Sequence, residues 1–444
     1  MADRPSAREA IARVTGGGDF AELPAPQDIS APDGPLAWEG YGEQRRRARQ
    51  LTGEAESVVC GTAWVGATRA VLISFEFGFL GGSLGEATGD RIEAAHTRAR
   101  EEGLPVVSLI ATGGSRMQEG IRALRQLQRV ARQSALTREA GLPQVAVVRD
   151  PTTGGGWATL GAGADVVLAL PDAQIGFAGS RVRPVDADPH AYTAQAQLTA
   201  GQVDAVVEPA ALAATVGSWL ALLTGGVRAD AAPPPGGLVD TPLPATGREA
   251  VLRARAAGRP RAGAYLDAYF TRREEITGDR CGGTDPGMLC GFGHRAGRTY
   301  AYAAQCGTAT LPAGYRTAAR LIRLADRLGI PVLTLVDTPG AANDAEAERA
   351  GVGAAVADVF AAVATARVPV TTLLIGEGGS GGALALSAPD NTWATKDSYF
   401  SVIAPELAAA ILKRAPGEAG ATADQLGLRP QDLLELGVIR GIVP

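Results

Sequence analysis

The chain has 444 residues, 46% hydrophobic and 20% charged, enough apolar material for one large or two medium globular cores. Lysine and arginine total 42 against 47 aspartates and glutamates, a net charge of −5 that argues against a nucleic-acid-binding surface. No apolar run reaches the length of a membrane span, and Met1-Ala2-Asp3-Arg4-Pro5 does not open a signal peptide, so the expected location is the cytoplasm, with no membrane partner.

Residues 1–50 read as a peripheral arm: a short helix over Ser6 to Val14, a Pro/Asp/Gly-rich connector, then the cluster Arg45, Arg46, Arg47 and Arg49. That cluster reads as a solvated helix face; the alternative is a site for the phosphates of a nucleotide-bearing substrate. From Ser57 onward strand-like runs alternate with helix-like ones: Ala70 to Phe75, Glu86 to Glu101, Val106 to Ala111, Gln118 to Ala140, Val145 to Val148, a helix start at Trp157, and Val166 to Leu168. Ala231 to Gly237 is rich in proline and glycine and reads as a linker. The alternation then resumes with Tyr300 to Ala304, Pro312 to Leu328, Val332 to Val336, a helix near Ala354 to Thr365, and the strand-like Val368 to Leu374. The expected layout is an arm over 1–50, a first domain over 51–230, a linker over 231–245 and a second domain over 246–444.

Chemistry-bearing residues are sparse. Cys60, Cys281, Cys290 and Cys306 form no C-x-x-C pair, and His96, His190 and His294 are scattered, so neither a metal site nor histidine catalysis is indicated. The informative stretch is Ile375-Gly376-Glu377-Gly378-Gly379-Ser380-Gly381-Gly382-Ala383-Leu384-Ala385-Leu386, a glycine turn between a strand and a helix. Glycine lets a ligand approach the backbone, and the first N–H groups of a helix lack an internal partner and carry the positive end of its dipole. Such a turn suits a developing oxyanion.

The turn has a second copy. Leu104 to Ile110 parallels Ile330 to Val336, and Pro105 and Pro143 are separated as Pro331 and Pro369 are, residue for residue. Gly114 then falls opposite Gly340, and Gly155-Gly156 opposite Gly381-Gly382. An internal duplication with two similar turns suits a reaction that develops two oxyanions, one on each reactant.

These residues resemble the carboxyltransferase of acyl-CoA carboxylases. The first half is similar to the β subunit of the bacterial acetyl-CoA enzyme through Phe75 to Gly85, Gly113 to Gly120, Asp150 to Gly155 and Ile175 to Gly179. The second half is similar to the α subunit through Gly278 to Arg280, Pro312 to Tyr315, Asp337 to Ala341, Ile375 to Leu386, Tyr399 to Glu406 and Asp432 to Val438. Three departures stand out: no four-cysteine ribbon, Ala342-Asn343-Asp344 where the family has Tyr-Pro-Gly, and Gln305-Cys306-Gly307 where it has Gln-Lys-Gly.

The resemblance implies an α/β fold of two crotonase-type (ClpP/crotonase-like) ββα-superhelix domains in tandem. It implies biotin as cofactor, carried as carboxybiotin on a separate carrier protein, and a coenzyme A thioester such as acetyl-CoA as substrate. Its partners would be the biotin carboxyl carrier protein and biotin carboxylase. It also implies a homo-oligomer, because the family's site is shared between the β-like half of one protomer and the α-like half of another. The reactants supply their own base, and the protein supplies backbone N–H groups where charge appears. By position, Gly113 and Gly114, with Gly155 and Gly156, would receive the thioester oxygen. Gly381 and Gly382, with Gly340 or Ala341, would receive the biotin ureido oxygen. Arg116, Gly378 and Gly379 are expected to line the substrate pockets. The competing expectation is a biotin-independent malonyl-CoA or malonyl-carrier decarboxylase or transcarboxylase on the same fold.

Overall fold

The structure, a computed structural model, describes residues 4–24, 31–225 and 230–444. The opening Met1-Ala2-Asp3 and part of the connector expected after the first helix lie outside the described residues. The chain divides after Thr224 into two compact units.

In the first unit the strands Phe20–Glu22, Val58–Val65, Thr68–Phe75, Val106–Thr112, Gln144–Thr153, Val166–Ala169 and Ala205–Val206 lie side by side in chain order. The first three pair antiparallel and the rest parallel. The second unit repeats this order with Arg272–Ile276, Met288–Arg295, Arg298–Gln305, Val332–Thr338, Val370–Gly379, Thr392–Ala394 and Gly441–Ile442. Val106–Thr112 and Val332–Thr338 are buried at every position, as continuous apolar runs covered on both faces should be. Each is preceded by a long helix, Glu86–Glu102 or Pro312–Leu328, ending on a left-handed glycine, Gly103 (φ 65°) or Gly329 (φ 71°).

The duplication extends to irregularities. The pairing of Val106–Thr112 with Gln144–Thr153 shifts register between Ile110 and Thr112, and that of Val332–Thr338 with Val370–Gly379 shifts between Val336 and Thr338. The isolated bridge Leu84–Ser115 has its counterpart in Thr310–Ala341. All these pairs are related by the one shift that carries Pro105 onto Pro331.

Two elements differ from the sequence expectation. The strand from Gln144 runs to Thr153 rather than ending at Val148, because Thr152 and Thr153 pair with Ile175–Gly176. The strand from Val370 likewise runs to Gly379, where Gly378 sits between Thr338 on one side and Phe400 on the other. Pairing of Glu377 to Gly379 with Tyr399–Ser401, and of Gly378 also with Thr338, keeps this end of the strand extended, so the turn is confined to the step from Gly379 to Ser380 and is shorter than the glycine run suggests.

The helix expected over Ser6 to Val14 is Ala7–Thr15, capped reciprocally: the Glu9 N–H donates to Ser6 Oγ (3.2 Å) and the Ser6 N–H to the Glu9 carboxylate (2.7 Å). Its Ala7, Ala10, Ile11 and Val14 are buried, and the Ala7 N–H donates to the buried Glu76 carboxylate (2.7 Å). The arginine cluster lies on Tyr41–Thr52, with Arg46, Arg47 and Arg49 exposed and Arg45 buried over the Tyr41 ring. In the 231–245 segment, Ala232 packs into the second unit's core and its carbonyl accepts from Thr371 Oγ1 (2.7 Å).

Candidate active site

In the first unit two glycine turns meet where the strands Val106–Thr112 and Gln144–Thr153 end. Gly114 has φ 110° and Gly154 φ 64°, values that side chains resist. A Cβ on Gly154 would lie 3.1 Å from the Gly114 Cα, so the turns pass backbone against backbone. The Gly113 N–H donates to the Gly81 carbonyl (2.9 Å), the Gly114 N–H to Thr112 Oγ1 (3.1 Å) and the Gly154 N–H to the Phe177 carbonyl (3.0 Å). Gly155 and Gly156 follow at the start of a helical turn, where N–H groups have no carbonyl four residues back within the helix. Both are buried. A Cβ on Gly155 would overlap Leu127, and one on Gly156 would overlap the Thr112 methyl.

In the second unit Gly340 (φ 140°) donates its N–H to Thr338 Oγ1 (3.1 Å), repeating Gly114 and Thr112. The structure brings together the predicted Gly340, Ala341, Gly379 and Gly382: a Cβ on Gly379 would overlap the Pro339 carbonyl, and one on Gly382 the Ala341 nitrogen. Gly378 is a strand residue whose Cβ would lie 2.9 Å from the Phe400 ring. Gly381 differs from the other glycines of this second turn. It is exposed, its φ is not left-handed, and a Cβ there would meet nothing within 4 Å.

Three features escape a reading of the glycines alone. Ser380, exposed between Gly379 and Gly381, sits at φ 58°, a strained conformation for a residue with a side chain. The run Gly378-Gly379-Ser380-Gly381-Gly382 was the available signal, since a serine at a sharp strand-to-helix step is pressed into that region. The carboxylate of Asp337, fully buried, lies between Arg259 (2.5 Å) and Arg261 (3.1 Å) and accepts the Glu377 N–H (3.1 Å). It ties the end of Val332–Thr338 to Val370–Gly379 just below the turn. The Gly382 carbonyl accepts from Tyr315 Oη (3.0 Å) and Gln305 Nε2 (3.3 Å). Long-range partners such as these leave no local periodicity in a sequence.

Arg116 stands apart from the other predicted residues. Its guanidinium is fully buried and bonds Glu56 (2.5 and 3.0 Å), Ser57 Oγ (3.1 Å), the Ser83 carbonyl (2.7 Å) and Tyr41 Oη (3.2 Å). Burial alone would lower its pKa, but Glu56, Tyr41 and Glu119 outweigh that and hold it fully charged. It braces the loop that carries Gly113 and Gly114. Among the described residues no group of three His, Cys, Asp or Glu side chains could hold a metal, and no helix is long and apolar enough to cross a membrane.

A duplicated sheet with a glycine turn at the end of each central strand is the architecture of a tandem crotonase-like carboxyltransferase. The match to known families is direct: residues 38–208 match the carboxyl transferase domain family, and residues 245–444 the acetyl co-enzyme A carboxylase carboxyltransferase-like family. The chain is 40% identical to the acetyl-coenzyme A carboxylase carboxyl transferase subunits beta/alpha of Salinispora arenicola, covering 99% of this chain and 82% of that protein. It is 33% identical to a probable biotin-dependent acyl-coenzyme A carboxylase beta3 subunit of Mycobacterium bovis, covering 91% of this chain and 83% of the relative. The fold is that of the transcarboxylase 12S subunit, solved as a hexamer with hydrolysed methylmalonyl-coenzyme A bound (TM-score 0.81, 21% identity, 99% of this chain and 87% of that one). The chain therefore belongs to the acetyl-coenzyme A carboxylase carboxyltransferase family, with its β-like and α-like parts fused.

Proposed function

We propose that this chain is the carboxyltransferase component of a biotin-dependent acyl-CoA carboxylase, moving CO2 from carboxybiotin on a separate carrier to the α-carbon of acetyl-CoA or a related short acyl thioester. The first unit's turn would face the thioester and the second unit's turn the biotin ureido group. The single observation that carries this reading is Gly381. A glycine within a helix is disfavoured relative to alanine, because it gives up more backbone freedom and packs no side chain. No packing or backbone conformation requires one there, and its N–H, at the start of the helix, would be open to an incoming group. Biotin, when bound in its carboxylated form, supplies the CO2 and the base.

The protein's own part is then electrostatic. The N–H groups of Gly381 and Gly382, with Gly340 or Ala341 beside them, would hold charge on the ureido oxygen. Those of Gly155 and Gly156, with Gly113 and Gly114 shaping the turn, would hold charge on the thioester oxygen. One such donor is typically worth about 3–4 kcal/mol of barrier. Gly378 and Gly379 set the path of the strand into the turn, and Arg116 acts by bracing the 113–120 loop. We assign residues 51–230 to the acyl-CoA side and 246–444 to the biotin side, with 1–50 as an arm and 231–245 as a linker. The protein would work in the cytoplasm as a homo-oligomer with biotin carboxylase and the biotinylated carrier.

The test is an assay with acetyl-CoA or propionyl-CoA, ATP, bicarbonate, a biotin carboxylase and a biotinylated carrier. The carboxylated thioester should form, and avidin should abolish its formation. Avidin-insensitive release of CO2 from malonyl-CoA, with no carboxylation of any acyl-CoA, would replace this reading by the decarboxylase one.

A further inference from the structure

The carbonyl of Gly382 has an unusual set of partners. In a regular helix it would accept from the N–H of Leu386, four residues on. Here the Leu386 N–H donates to Ala383 instead (3.3 Å), while the Ala385 N–H reaches Gly381 (3.0 Å). A buried carbonyl left without a donor would cost about 1–3 kcal/mol. Two side chains take the place of the missing N–H: Tyr315 Oη at 3.0 Å and Gln305 Nε2 at 3.3 Å. Both residues are fully buried, and Gln305 Nε2 also bonds Thr310 Oγ1 (3.1 Å). Tyr315 Oη fills the space a Gly382 side chain would need, 2.6 Å from where its Cβ would stand.

Among the described residues the first unit has no such arrangement. The shift that carries Gly156 onto Gly382 carries Leu84 onto Thr310 and Gly89 onto Tyr315, and the strand register puts Phe75 at the place of Gln305. None of the three can donate a side-chain hydrogen bond. The polar backing is therefore a property of the second turn and not of the shared fold.

We infer that Tyr315 and Gln305 are positioning residues for the biotin-side turn, holding the Gly382 carbonyl inward and so fixing the first turn of the Ser380–Leu384 helix, which carries the N–H groups of Gly381 and Gly382. The inference rests on the reading of this turn as the one that meets biotin. A carbonyl free to swing toward the opening would put a negative dipole where the ureido oxygen gains charge, weakening the hole that the two N–H groups make. Burial pushes the Tyr315 phenol up to about 12, so it remains a donor throughout the neutral range.

The test uses Tyr315→Phe and, separately, Gln305→Leu in the full chain, with sedimentation and thermal melting to follow assembly and folding. Each should lower carboxyl transfer about tenfold, the scale of one lost hydrogen bond, with KM for acyl-CoA changed less than about twofold. Decarboxylation of the carboxylated carrier without acyl-CoA should fall in parallel. Amide hydrogen exchange should quicken in a peptide spanning Gly376–Asp390 and stay unchanged in one spanning Asp150–Asp165. Should one variant fail to assemble, the other tests the same carbonyl. Turnover within twofold of wild type with unchanged exchange would overturn the inference, as would a rise in the KM for acyl-CoA that accounts for the loss. Wild-type protein without biotin-dependent turnover would overturn the underlying reading and this inference with it, a result distinct from active wild type with unaffected variants.

Discussion

The two glycine turns share a backbone and differ in what surrounds it. In the first unit Gly155 and Gly156 are buried under Leu127 and the Thr112 methyl, side chains that leave no room for a Cβ. In the second unit Gly381 is open, Gly382 is backed by Tyr315 and Gln305, and the strand below is tied by the buried Asp337–Arg259 pair. The position equivalent to Asp337 in the first unit is Ala111, so that tie has no counterpart there. The duplicated backbone is the same in both places, and its neighbours leave Gly155 and Gly156 apolar and covered but their counterpart Gly381 open. An apolar cover suits a thioester, whose enolate gains from exclusion of water; an open turn suits a group delivered from outside on a carrier.

The comparison can be broken in steps of decreasing size. Asp337→Ala should leave Arg259 charged and buried without its partner, destabilising the second unit by about 3–5 kcal/mol. Denaturant unfolding followed separately in the two units checks this, and a loss under 1 kcal/mol would remove Asp337 as a fixed point. Gly381→Val should lower carboxyl transfer by about two decades from the lost approach to the N–H group, with melting essentially unchanged because a Cβ there meets nothing. Turnover within a few-fold of wild type would mean the open glycine serves no ligand. Gly155→Ala should do the reverse at smaller scale. Overlap with Leu127 should cost about 1–3 kcal/mol of stability, visible in the melt before it is visible in the chemistry. Ser380→Gly should relieve the left-handed strain and stabilise by about 1 kcal/mol or less. A destabilised Ser380→Gly would show that the serine side chain earns its place through a contact.

Much of this was legible from residues alone, for physical reasons. Glycines forced to positive φ, Gly114 and Gly340, mark turns wherever they occur, and the prolines Pro105, Pro143, Pro331 and Pro369 fix the starts of equivalent strands. That made the tandem fold and the paired turns readable. The ends of the strands were not, because Thr152–Thr153 and Glu377–Gly379 are held extended by short distant strands at Ile175 and Tyr399. Nor was the difference between Gly155, which packing requires, and its counterpart Gly381, which is left open. Gly155 and Gly381 are the same letter, and only Leu127, on a helix far along the chain, distinguishes them. Arg116 shows the converse: an arginine beside a glycine turn suggests a substrate contact, yet Glu56 and Ser83 from distant segments occupy it.

The most direct test of the division between the turns is decarboxylation of the carboxylated biotin carrier in the absence of acyl-CoA, measured for Gly381→Val and Gly114→Ala side by side. Both variants should lose overall carboxyl transfer, since each distorts one of the two holes. Carrier decarboxylation should disappear in Gly381→Val and persist near the wild-type rate in Gly114→Ala. Equal loss of that partial reaction in both variants would contradict the assignment of one turn to each reactant.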